Sequence, residues 1–276
     1  MYVCQPVLFW VKNKSRKMSE KQQSRGRKAR QDGFTLIELL VVVSIMAMLM
    51  SILLPGLSRA RESGKCVVCL SNMRQLTLAW NFYATDNEDG LCSPDTYWND
   101  TPASNYWVAD GPVVPSNYIG GTETAIENGA LWNYTQRTQG LYKCKSDNSG
   151  LLRSYSVSNI MGGYDRDGIT AYRTLGEILR PSEKMVFIDA SSRLQWIADG
   201  FWPVDVSTIE VRWRSLNEHN ITARHSDGCN VSFADFHCEH WRWKDARTVK
   251  LADWEIRPDE ASDNNIDLER VIKVLK

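Results

Sequence analysis

Residues 30–61 read RQDGFTLIELLVVVSIMAMLMSILLPGLSRAR, and the 21 residues from Phe34 to Leu54 carry a single charge, Glu38. At about 1.5 Å per residue such a run makes a helix of roughly 31 Å, enough to cross a hydrocarbon core of about 30 Å. Its other polar residues are Thr35, Ser44 and Ser51, whose hydroxyls a helix hides against its own carbonyls. Pro55 ends the run, where a kink or break is expected. A core helix of a soluble protein is the alternative reading, but unbroken apolar runs of this length favour a membrane span. Glu38 is the anomaly. A carboxylate at the centre of a span costs roughly 2.5–3.5 kcal/mol, so it must find a partner or snorkel to the head groups.

The segment before the span is basic: residues 1–33 hold nine Lys or Arg against Glu20 and Asp32. That asymmetry keeps the N-terminus in the cytoplasm and sends everything after Pro55 outward. A secretory signal peptide would place small residues after its apolar core, whereas Leu53-Leu54-Pro55 stands here, so outer-side cleavage is not expected. Met18 offers a second start, and the segment before it has no clear role. Without residues 1–33 the chain keeps 24 basic and 31 acidic residues, net −7. An acidic exported body lacks the basic patch that a nucleic-acid partner requires.

Past Pro55 the helix is expected to resume. Cys66, Cys69, Leu70, Met73, Leu76, Trp80 and Tyr83 recur at three- and four-residue steps, an amphipathic stripe that ends at the turn-rich TDNEDG, with Gly64 as the flex point. The remaining residues, about 190, suffice for one globular domain. Residues 90–130 read as long loops. RSYSVSNIM, EKMVFIDAS, NITARH, CNVSFAD and HCEHWRW read as strands, and short helical pieces are expected near Leu131–Thr138, Leu175–Leu179 and Ile266–Val274. The fold class is α+β.

Six cysteines lie beyond the leader: Cys66, Cys69, Cys92, Cys144, Cys229 and Cys238. An even number outside the cytoplasm points to disulfides, in one of fifteen pairings if all are used. Cys66-Val67-Val68-Cys69 has the spacing of a zinc knuckle or redox pair, but it falls within the helix and no second Cys pair follows, so no metal site is expected there. In a hairpin turning at Asp235-Phe236, Cys238 would face Phe233 and Cys229 would face Arg242, so these two should not pair. Asp165-Arg166-Asp167-Gly168 resembles the start of a calcium loop, making Asp165 and Asp167 weak calcium candidates; a bidentate Glu is missing, and a simple turn is the preferred reading. No cofactor is otherwise expected. Trp98, Trp107, Trp196, Trp202, Trp241 and Trp243 could stack on sugar rings if exposed, although core filling is the simpler use.

The stretch Gly33-Phe34-Thr35-Leu36-Ile37-Glu38-Leu39-Leu40-Val41-Val42 resembles the prepilin-type cleavage and methylation signature shared by type IV pilins and type II secretion pseudopilins. The resemblance implies that a prepilin peptidase cuts after Gly33 and that the new N-terminus becomes N-methyl-Phe34. It also implies a partner for Glu38: the Phe34 amine of a neighbouring subunit, an exchange of charge that drives assembly and fixes register. Gly33 suits the peptidase because a residue without Cβ allows close backbone approach.

The segment ARHSDGCNVSFADFHCEHW resembles the C-terminal His-x9-Asp-Gly motif of large pilin-like proteins of the Planctomycetes and Verrucomicrobia lineage. His225 and Asp235 match, and Phe236 stands at the Gly position. Asp-Gly suits a two-residue hairpin because both positions need positive φ, so Phe236 implies a longer or different turn. CLSNMRQLTLAWNFYATDNEDG, LYKCKSD and LRPSEKMVFID resemble the same family.

Catalysis by His225 and Asp235 is not expected, because the intervening strand would hold them roughly 20 Å apart, far beyond hydrogen-bond reach. His237 and His240 would face opposite sides of a strand, and none of the common hydrolase, zinc-protease or phosphate-loop motifs is present. The expected protein is therefore not an enzyme. Its parts are a cleaved basic leader (1–33), a transmembrane helix (34–54), an amphipathic continuation (55–85) and an exported head (86–276) that carries the 225–237 motif. The resemblance implies a structural subunit of a type II secretion pseudopilus or pilus-like filament in the inner membrane, with its head outside and some copies in an extracellular filament. Its partners would be the prepilin peptidase and N-methyltransferase, other pilin-like subunits and the membrane assembly platform. The second expectation is a membrane-anchored surface protein, binding polysaccharide, that uses the same export route.

Overall fold

The computed structural model describes residues 34–94, 105–108, 123–163, 165, 169–191, 204–205, 211–213 and 221–276. The chain divides into one unit ending at Ser51 and another from Ile52 to Lys276. A single helix, α1 (Leu36–Asp86), runs 51 residues and is long and apolar enough to cross a membrane. Pro55 and Gly64 both lie inside α1, so the helix continues through Pro55 without the expected break. Within the first unit Ser44 Oγ donates to the Leu40 carbonyl and Ser51 Oγ to that of Met48, each at 2.7 Å, which satisfies both hydroxyls inside the helix.

In the second unit α1 changes character. Cys69, Met73, Leu76, Trp80, Tyr83 and Ala84 are buried at helical spacing. They pack on a four-stranded antiparallel sheet in the order β1 (Tyr155–Val157), β2 (Met185–Asp189), β5 (Gly228–Phe233), β6 (Cys238–Arg242). Between β2 and β5 a two-stranded ribbon pairs β3 (Val204–Asp205) with β4 (Arg212–Trp213). The long helix and the four-stranded sheet make the α+β fold the sequence implied, whereas the β3–β4 ribbon lies outside the expected strands.

Four of the five strand-like runs form the main sheet. NITARH does not: Ile221–Ala223 is irregular, and His225, Ser226 and Asp227 then take left-handed φ of 59°, 64° and 62°. One face of β5, through Asn230 and Ser232, meets α1: Thr77 Oγ1 donates to Ser232 Oγ at 2.7 Å, and the Cys66 thiol donates to Asn230 Oδ1 at 3.4 Å. The opposite face presents Cys229, Val231 and Phe233, with Trp241 of β6 beside Cys229. Arg270 of the C-terminal helix α4 (Ile266–Leu275) lies 3.9 Å over the Trp241 ring. Helices α2 (Glu123–Glu127) and α3 (Ala246–Ala252) had no periodic signal, both being short. Asp245 caps α3 and Asn265 caps α4 through their side-chain oxygens.

Gly228 opens β5 opposite Arg242 of β6. A Cβ there would stand 2.3 Å from the Trp241 carbonyl oxygen, so the strand pair requires glycine for close approach.

Candidate functional site

The N-terminal segment presents apolar side chains on every side: Phe34 is 71% exposed, and Leu36, Ile37, Leu39, Leu40, Val41 and Val42 are exposed with it. A helix apolar all round is stable only in lipid or against other apolar surfaces. Its first turn is closed by a reciprocal cap. The Thr35 N–H and hydroxyl both donate to Glu38 Oε2, at 2.9 and 2.8 Å, and the Glu38 N–H donates back to Thr35 Oγ1 at 3.3 Å. This is a capping box, Thr at the N-cap and Glu at the third helical position. Glu38 therefore already has a partner within its own chain. The Thr-x-x-Glu spacing before an apolar run carries that signal in the sequence. Gly33 lies outside the described residues.

A second constellation is buried in the globular unit, assembled from three distant places. Cys69 comes from α1, Cys144 from the loop after residues 139–142, and His225 from the left-handed turn before β5. The two sulfurs lie 3.3 Å apart, and Cys144 Sγ is 3.2 Å from His225 Nε2. Backbone amides address both sulfurs: Lys145 N–H donates to Cys69 Sγ at 3.2 Å and Ser146 N–H to Cys144 Sγ at 3.4 Å. The bond between the two sulfurs holds the Cys69 thiol well below its ordinary range and pushes Cys144 up.

His225 is gripped at its other nitrogen by Glu62 of α1, with Nδ1 2.9 Å from Oε1. Behind it stands Asp189, the last residue of β2, fully buried. Its Oδ1 accepts from Arg224, whereas Oδ2 takes no hydrogen bond and lies 3.6 Å from His225 Nε2. Burial raises Asp189 to about 6, against the pull of Arg224. Arg224 also reaches Asp147 at 3.4 Å; burial works against that carboxylate, but Arg224 and the Ser154 hydroxyl outweigh it and hold Asp147 at about 2.

The N-terminal segment has known counterparts. Residues 28–54 match the family described as the prokaryotic N-terminal methylation motif. The chain is also similar to the type II secretion system core protein G of Klebsiella michiganensis, 30% identical over 111 residues, which cover 37% of this chain and 78% of that protein. The chain belongs to the pseudopilin family. No solved structure matches it. As in a pilin-like protein, one long N-terminal helix leads to an antiparallel sheet.

In this pseudopilin-family chain His225 and Asp235 do not meet. Asp235 instead pairs with the neighbouring His237, whose N–H it accepts at 3.2 Å in the β5–β6 turn. That turn is longer than two residues, and Phe236 adopts φ 72° within it. Its length moves the register by one from the expected pairing: Cys238 faces Ser232, not Phe233, and Cys229 faces Trp241, not Arg242. Cys229 and Cys238 consequently point to opposite faces of the sheet.

All six cysteines beyond the leader are free thiols. Cys92 and Cys229 are fully buried, and burial pushes the Cys92 thiol up to about 12. Asp165 Oδ1 accepts from the Ala171 N–H at 3.0 Å and pairs with Arg173 at 3.4 Å, the contacts of a turn; Asp167 lies outside the described residues. Trp107, Trp241 and Trp243 are buried core residues, while Trp98, Trp196 and Trp202 lie outside the described residues.

Proposed function

We propose that this chain is a non-enzymatic, pilin-like structural subunit of a type II secretion pseudopilus or a closely related filament. The observation that carries the reading is the bare apolar first half of α1, headed by Phe34 and Glu38, in a chain that matches the methylation motif over residues 28–54. Prepilin peptidase cuts after Gly33, Phe34 is N-methylated, and residues 34–54 hold the protein in the inner membrane. The nine basic residues of the leader keep the N-terminus cytoplasmic and the head outside. On assembly, neighbouring copies or other pilin-like subunits pack their apolar helices together. Glu38 then exchanges its intrachain bonds to Thr35 for the Phe34 amine of a neighbour, a charge pair worth more in lipid than a neutral cap.

Photo-cross-linking tests this reading. With a cross-linker placed at Val42 in membranes, a ladder of regularly spaced oligomers is expected, and it should vanish for Glu38→Leu. A monomer-only pattern in cells making the complete secretion machinery would contradict the proposal.

A further inference from the structure

We propose that Cys69, Cys144 and His225, with Asp189 as the adjacent oxygen donor, form a structural zinc site that pins the membrane-proximal helix to the sheet. The three Cys and His donor atoms all lie within 4.8 Å of one another, are buried, and come from a helix, a loop and a turn. Around a tetrahedral zinc, bond lengths of about 2.3 Å to sulfur and about 2.0–2.1 Å to nitrogen or oxygen set the donor spacings. They put sulfur pairs about 3.8 Å apart, sulfur and nitrogen about 3.6 Å, and nitrogen and oxygen about 3.4 Å. Here the two sulfurs are 3.3 Å apart and Cys144 Sγ is 3.2 Å from His225 Nε2, each within about 0.5 Å of those values, while Asp189 Oδ2, 3.6 Å from Nε2, would have to move toward the sulfurs to complete the four.

Three further features point to a metal rather than to a pair of core thiols. Glu62 faces His225 Nδ1 at 2.9 Å, which places the ring proton there and aims the lone pair of Nε2 at the two sulfurs, the carboxylate–histidine arrangement that supports zinc ligands. Asp189 Oδ2 is buried without a hydrogen bond 3.6 Å from Nε2, and a small side-chain movement toward the sulfurs would make it the fourth donor. Finally, His225, Ser226 and Asp227 all hold left-handed backbone, a strain of roughly 1 kcal/mol or more per residue, and this conformation delivers the imidazole to the site. A Cys69–Cys144 disulfide would need the sulfurs at about 2.05 Å and would leave both Nε2 and Asp189 Oδ2 without a function. Two thiolates, one imidazole and one carboxylate form a donor set suited to Zn2+, with the amides of Lys145 and Ser146 bonding the sulfurs.

The test uses the full chain purified in detergent under reducing conditions, titrated with Zn2+ or Co2+ alone. One metal per chain is expected, and the Co2+ form should show thiolate charge-transfer absorption with tetrahedral visible bands. Cys144→Ser and His225→Gln should each weaken binding at least 100-fold, whereas Cys238→Ser should not change it. Asp189→Asn should weaken it about 10- to 100-fold and shift the visible bands. His225→Cys should retain one metal with stronger charge-transfer absorption, a readout independent of whether the Gln variant folds. Failure of the folded, reduced wild type to bind either metal would overturn the site. So would unchanged binding in Cys144→Ser, or a Cys69–Cys144 disulfide found after trapping thiols in cells.

Discussion

Glu38 Oε2 accepts both the Thr35 N–H and the Thr35 hydroxyl, so the one charge of the apolar span closes the first turn of its own helix. On the proposed reading, this carboxylate stays in a capping box until a neighbour's amine replaces it. Removing Glu38 has two separable consequences, and Thr35 distinguishes them. Thr35→Val should cost the helix start about 1 kcal/mol while leaving assembly intact, because the carboxylate remains. Glu38→Leu should leave membrane insertion intact or improved and abolish the oligomer ladder. Equal loss of the ladder in both variants would mean that Glu38 acts only as a cap.

Thr77 and Ser232 join α1 to the sheet. Ser232 Oγ accepts from Thr77 Oγ1 at 2.7 Å and from the Phe187 N–H at 3.1 Å, at the irregularity between β2 and β5. Ser232→Ala should cost about 1–3 kcal/mol, since it strands a buried amide, and Thr77→Val should cost less because it strands only a hydroxyl. Chemical denaturation of the two single variants and the double variant would check this; the double variant should fall short of the sum.

Phe236 holds φ 72° at the position where the resembling motif carries glycine. Phe236→Gly should relieve left-handed strain and raise stability by about 0.5–1 kcal/mol net of the added freedom of the unfolded chain. Thermal unfolding should show a higher midpoint; a fall would mean that the ring contributes packing worth more than the strain.

Asp147 makes the globular unit sensitive to acid. Its carboxyl is held at about 2 against an ordinary 3.8, with Arg224 and Lys143 as its cations. A depressed carboxylate contributes stability that is present above the unfolded value and is lost as pH falls through the folded one. The contribution, about 2 kcal/mol, should therefore be complete above pH ~4 and gone near pH ~2. Asp147→Asn should be less stable at neutral pH and flatter across that acid window, as read by denaturation at each pH.

Much of this architecture was legible because it is periodic. The run from Phe34 is apolar on every side, the three-and-four stripe from Cys69 to Tyr83 follows from burial on one side of α1, and β5 alternates apolar and polar residues although all six are buried. The strand register was not legible to the residue, because it depends on the turn: Phe236 entering left-handed backbone lengthened the loop and moved every pairing by one. NITARH has strand composition, yet tertiary demands at His225 override it. The cysteine–histidine cluster left no local signature, since its members stand 75 and 81 residues apart. The sequence shows Cys69 beside Cys66, but the fold pairs it with Cys144. The Thr35–Glu38 box, in contrast, is spelled out in four consecutive residues.

The mass of the mature N-terminal peptide, from protein extracted from membranes of cells that carry the prepilin peptidase, tests the pilin-like account most directly. The account predicts a peptide that begins at Phe34 and is heavier than the unmodified sequence by one methyl group, with Gly33→Asp retaining the leader. A wild-type chain that keeps residues 1–33, or one cut beyond Leu54, would contradict it.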